Sequence, residues 1–230
     1  MKLQILLVAQ LMIAATVLAQ DSKIKILGDF REGWEKEWIE RKFAGPSAIF
    51  EVVEEDADSV LQVTTDRSGS ALWHSLNLKP TGRAKISWRW KIEDTLPDDT
   101  PERKKIGDDY VARVFLVFEP HLVNWRSRAI CYVWAAKEPP GAIYRSPYSS
   151  SVGIIVIQSG KEKRGDWVLE SREIVKDYRK VFGKAPEFLT AVAIMVDTDN
   201  TNRSALTFFD DIILDIPKPE KPKSKPKVKF

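Results

Sequence analysis

Two carboxylate-rich runs hold the side chains best placed to do chemistry. The first is Gly107-Asp108-Asp109-Tyr110-Val111-Ala112-Arg113. Read as the opening of a strand, it sets Asp109, Val111 and Arg113 on one face and Asp108 and Tyr110 on the other. Asp109 and Arg113 then sit about 13 Å apart along the strand, too far to pair but able to line one groove. The bland alternative is that Asp108 and Asp109 cap the preceding loop while Arg113 pairs with an acid on a neighbouring strand. The second run is Asp197-Thr198-Asp199-Asn200-Thr201-Asn202. Its start resembles a calcium loop, but a helical calcium hand needs Gly at position six and an acid at position twelve. Those places hold Asn202 and Phe208, so that motif fails. A tight Asx turn and a carboxylate cluster facing a ligand or ion remain.

Hydrogen-bonding acids beside aromatic rings suit hydroxylated ligands. The chain has eight Trp, five Tyr and ten Phe. Tyr132 and Trp134 share one strand face, opposite Cys131 and Val133, and are candidate stacking residues. Tyr144 and Tyr148 fall in a Pro- and Ser-rich loop. Core packing is the ordinary use of such rings. A third acidic set lies at the ends of the body: Asp29, just after the first strand, and Asp210 and Asp211, near its close. If the terminal strands pair, these three form a candidate set of hard oxygen ligands for a structural Ca²⁺.

Other catalytic sets are thin. His74 and His121 are the two histidines, and neither lies in a metal-binding His pair; no nucleophile turn or Gly-rich phosphate loop is present. Cys131, the lone cysteine, excludes an internal disulfide and reads as a small buried hydrophobe.

Positioning these residues falls to short β segments. Strands are expected near 24–27, 49–53, 60–65, 71–77, 84–92, 110–118, 129–135, 152–159, 167–174, 190–197 and 206–214, divided by turns such as Pro80-Thr81-Gly82 and Pro139-Pro140-Gly141. Ile86, Trp88, Trp90 and Ile92 alternate with Ser87, Arg89 and Lys91 in strict period two. One short helix is predicted over 175–183, with Gly183 as its left-handed stop and Pro186 beyond. The spacing predicts an all-β, jelly-roll-type β-sandwich.

Three segments follow. Residues 1–19 read as a signal peptide: Lys2, then an apolar run to Val17-Leu18-Ala19. This predicts a periplasmic or secreted protein without a transmembrane segment once the signal is removed. Residues 20–216 form the sandwich domain. The stretch 217–230 alternates proline with Lys218, Lys221, Lys223, Lys225, Lys227 and Lys229, a disordered tail able to contact anionic surfaces. The net charge of +3 is concentrated in that tail; the body is mildly acidic and carries no nucleic-acid footprint.

The ordered set Trp88-Arg89-Trp90, Gly107-Asp108-Asp109-Tyr110 with Arg113, Tyr132-Val133-Trp134, Asp177-Tyr178 with Phe182-Gly183, and Asp197-Thr198-Asp199-Asn200-Thr201 resembles the bacterial domain-of-unknown-function 3047 family, over about Phe30 to Leu214. The resemblance implies a galactose-binding-like or carbohydrate-binding jelly roll and no particular activity. Three functions are thus expected: a non-catalytic module for a glycan or other envelope ligand; a polysaccharide lyase or hydrolase using Asp108, Asp109, Asp197 and Asp199, with Arg113 neutralising a uronate; and a structural envelope protein.

Overall fold

The computed structural model describes residues 22–118 and 127–218; the predicted signal, His121 and nearly all of the basic tail lie outside them. Among these described residues, thirteen strands and one α-helix follow in order. They are β1 (Ser22–Gly28), β2 (Ile39–Ala44), β3 (Ile49–Glu55), β4 (Asp58–Asp66), β5 (Gly69–Leu78), β6 (Lys85–Ile92), β7 (Tyr110–Phe118), β8 (Arg128–Ala135), β9 (Ile143–Arg145), β10 (Val152–Ser159), β11 (Val168–Glu173), α1 (Ile174–Phe182), β12 (Leu189–Asp197) and β13 (Ser204–Pro217). β2 and β9 were not expected. β2 is short and charged, and exposed along most of its length; β9 is three residues long, and neither shows a hydrophobic alternation.

These strands form a jelly-roll-type β-sandwich. One sheet runs β11-β6-β13-β4-β3, with β1 paired to the second half of β13; the other runs β2-β5-β12-β7-β8-β10-β9. Pairing is antiparallel except between β8 and β10, which run parallel. The terminal strands do pair, as expected, with Ser22 opposite Pro217.

The period-two strand β6 turns Ile86, Trp88, Trp90 and Ile92 inward, all fully buried. Opposite them lie Tyr132 and Trp134 of β8. Trp88 stacks on Tyr132 at 5.3 Å between centroids, and Trp90 meets Trp134 at 5.8 Å. Burial of such rings is the main favourable term in the fold. The two rings of β8 also use their polar atoms: Tyr132 Oη donates to Asp177 of α1, and Trp134 Nε1 donates to the Gly160 carbonyl. Arg172 grips the same Asp177 with Nε and Nη2, locking the helix to the sheet. The helix ends where the sequence foretold, at Gly183 with φ 75°, a left-handed conformation that favours glycine.

Candidate functional site

The outer face of the seven-stranded sheet is hollowed into a cleft of about 390 Å³, within the ~300–1,000 Å³ range usual for small-ligand sites. Alternation builds its floor. On β12, Val192, Ile194 and Val196 enter the core, so Ala193, Met195 and Asp197 face the cleft. On β7, Val114 and Leu116 turn inward, leaving Arg113 and Phe115 outward. Trp73 of β5, Cys131 of β8 and Ile154 of β10 complete the floor. Phe43 of β2 lines one side, and Tyr148, from the β9–β10 connection, lines the other; both are more than half exposed. The site therefore draws on strands from β2 to β10, across most of the sheet.

One end of the cleft is polar, and there the two acidic runs meet. Asp109, fully buried, does not face the cleft. Its Oδ1 accepts from the backbone N and Nδ2 of Asn200, and its Oδ2 accepts from the backbone N and Oγ1 of Thr201. All four usual acceptor positions are spent on holding the 198–203 turn. Asn202 completes that turn at φ 52°, a region where Asn is the commonest non-glycine visitor. Asp108 and Tyr110 lie on the same side as Arg113, contrary to simple alternation. The reason is a bulge: Tyr110 pairs with Asp197 and Arg113 with Met195, so β7 spends one more residue than β12 between these pairs.

Arg113 is buried and occupied. Its Nη2 donates to Asp197 Oδ2 at 2.7 Å and to the Asp108 carbonyl. Its guanidinium lies 4.6 Å from the Tyr110 ring centroid. It is thus paired with a neighbouring-strand acid, and a uronate would have to displace Asp197. Asp108 Oδ2 accepts from Ser146 Oγ. Asp199 accepts from Asn200 Nδ2, whose Oδ1 in turn accepts from Tyr148 Oη.

Burial pushes the Asp197 carboxyl up to about 8; Arg113 opposes this, while Asp199 and Asp109 reinforce it. An acid raised on folding stabilises the fold fully below its unfolded value and loses that contribution as pH climbs through its folded value. The melting temperature should therefore fall between pH 5 and pH 8, and Asp197→Asn should flatten that decline. Thermal scans across this range check it; an unchanged slope in the variant would remove Asp197 as the cause.

Tyr132 and Trp134, expected in the groove, are in the core instead. They do share a face, but it is the inward one, and Cys131 and Val133 face outward. The Asp29–Asp210–Asp211 set is also corrected. Asp210 and Asp211 both pair with Arg89, which also reaches Asp58, so two of the three acids foreseen for Ca²⁺ serve a guanidinium instead. Asp211 has φ 51° at a bulge in β13, and this brings consecutive acids to one arginine. Sequence reasoning missed Phe43 and Trp73. The signal for Phe43 was an aromatic residue ending the charged run Glu40-Arg41-Lys42.

A jelly-roll sandwich with an open cleft across its larger sheet is the class of protein defined here. The chain belongs to the family described as "Protein of unknown function (DUF3047)", which matches residues 32–213. No curated protein matches. Among solved structures, the chain is similar to the family 11 carbohydrate-binding module of a cellulosomal cellulase of Clostridium thermocellum (13% identity, 87% of this chain and 98% of that one, TM-score 0.45). The same organism's module in complex with a β-1,3-1,4-mixed-linked tetrasaccharide gives 13% identity, 86% and 98% coverage, and TM-score 0.43. The enzymatically active domain of bacteriophage CBA120 tailspike protein 4 gives 8% identity, 81% and 20% coverage, and TM-score 0.46.

Proposed function

We infer that this chain is an exported, non-catalytic binding module whose cleft takes a glycan of the cell envelope or its surroundings. The observation that carries this reading is the pairing of exposed aromatic walls, Phe43 and Tyr148, with a polar end made of Asp108, Asp197, Asp199 and Asn200. Sugar rings present apolar faces and hydroxyl edges together, and this cleft offers a counterpart to each. Export is supported by the layout of residues 1–19, and contact with an anionic surface by the lysines of the tail. Among the described residues no helix is long and apolar enough to cross a membrane.

Soluble oligosaccharides titrated into the protein by calorimetry test the reading. Phe43→Ala and Tyr148→Ala should each weaken binding by about tenfold, the loss expected for one stacking ring. Both residues are exposed, so melting temperature should hold. Binding that ignores both variants would place the ligand elsewhere. Release of new reducing ends from the bound glycan would replace a binding module with an enzyme.

A further inference from the structure

The polar end of the cleft is short of positive charge. Asp108 and Asp197 are 4% and 7% exposed, and both line the cleft. In each, one carboxylate oxygen, Oδ1, has no hydrogen-bond partner. Buried acceptors without donors are costly and rare in folded proteins. The single arginine between them, Arg113, is shared: Nη2 serves Asp197 and the Asp108 carbonyl, and Nη1 stands 3.9 Å from Asp108 Oδ1. Asp199 forms no ion pair among the described residues. Asp199 and Asp109 each offer an oxygen within 4.8 Å of one from Asp197, so three carboxylates converge beside one guanidinium. Arg41, stacked over Trp73, and Lys105, beside the Tyr148 ring, are the nearby cations at the rim; neither pairs with these acids.

We propose that the ligand group seated between Asp197 and Asp199 is a primary ammonium, and that the cleft selects amino sugars with a free amine over N-acetylated or anionic sugars. This rests on the glycan reading above. An ammonium brings three N–H donors and one positive charge: the orphaned oxygens accept the donors, and the charge draws Asp197, which burial otherwise keeps protonated at neutral pH, into its ionised form. A divalent cation is a poorer fit. Calcium takes six to eight oxygens, but Asp109 has spent its acceptors on the 200–201 backbone and side chains, and Asp197 Oδ2 already faces a guanidinium. An acetylated amine has lost the charge. A uronate would add a fifth carboxylate to Asp108, Asp109, Asp197 and Asp199.

The test is calorimetry at pH 6 with four probes: a β-1,4-glucosamine oligomer, its N-acetylated counterpart, an oligogalacturonate and the non-sugar amine spermidine. The glucosamine oligomer should bind at least tenfold more tightly than the other two glycans. Asp199→Asn, at a half-exposed turn, should erase that preference while leaving the melting temperature near wild type; Asp108→Asn should reduce it. Equal or tighter binding of the N-acetylated or anionic oligomer, still lost in Phe43→Ala, overturns the ammonium assignment and leaves the glycan reading intact. Spermidine binding that depends on Asp199, with no glycan binding, supports ammonium recognition and overturns the glycan reading. Silence from all four probes overturns both. Calcium that binds and competes with the glucosamine oligomer overturns the ammonium in favour of a metal.

Discussion

At pH 9, where the Asp197 carboxyl is ionised, Arg113→Ala should lower the stability of the folded domain by about 3–5 kcal/mol, the cost of removing one partner from a buried ion pair. The loss has three sources. Asp197 Oδ2 loses its donor, the Asp108 carbonyl loses another, and Asp108 Oδ1 loses its nearest positive charge. A void also opens beside the Tyr110 ring, over which the guanidinium lies. Arg113→Lys should fall between, because an ammonium keeps the charge but not the planar fork that serves a carboxylate and a carbonyl together. Denaturant unfolding of both variants checks the order. A loss under about 1 kcal/mol for alanine would mean that water enters the polar end and supplies the missing donors.

Asp109→Ala should cost about 3 kcal/mol and also abolish ligand binding. Its carboxylate takes hydrogen bonds from two backbone and two side-chain donors of Asn200 and Thr201. Bonds to a charged acceptor contribute about 1.5–3 kcal/mol each in isolation, and they are not additive when they share one group. Without that anchor the turn carrying Asp199 and Asn200 is released, and with it the contact from Tyr148 Oη to Asn200. Asp109→Asn should keep part of the stability, since an amide oxygen can still accept one pair of donors. The decisive readout is the ratio of the two effects. If binding survives in Asp109→Ala, the 198–203 turn does not form the ligand's polar contact.

The sequence carried the strands with alternating burial and the helix stop at Gly183. β6 was legible because a core faces one side of it and polar chains the other. The same logic failed for β8. Every residue from Ala129 to Ala135 is buried, on both faces of the sheet. A strand covered on both sides gives no alternation to say which aromatics point inward, so Tyr132 and Trp134 could not be assigned. The bulge in β7 was equally silent. Nothing in Tyr110-Val111-Ala112-Arg113 announces the extra residue that turns Tyr110 and Arg113 to one side; only pairing with β12 reveals it. The two acidic runs were found by residue type alone. Their convergence depends on β7 and β12 being neighbours, a long-range fact that no local pattern encodes.

The parallel pairing of β8 with β10 has a price in chain length that the cleft turns to use. A strand that must start again beside its predecessor, running the same way, has to carry the chain back to the beginning first. Here residues 136–151 make that return journey, laying down β9 and delivering Ser146 and Tyr148 to the rim. The sheet constrains where this excursion leaves and rejoins, and where β9 pairs with β10. Residues 146–151, between β9 and β10, belong to no strand, so a change of length there leaves both sheets in register. One wall of the cleft is therefore a replaceable part, and a family that keeps the sandwich constant has in this segment a place to evolve new tastes.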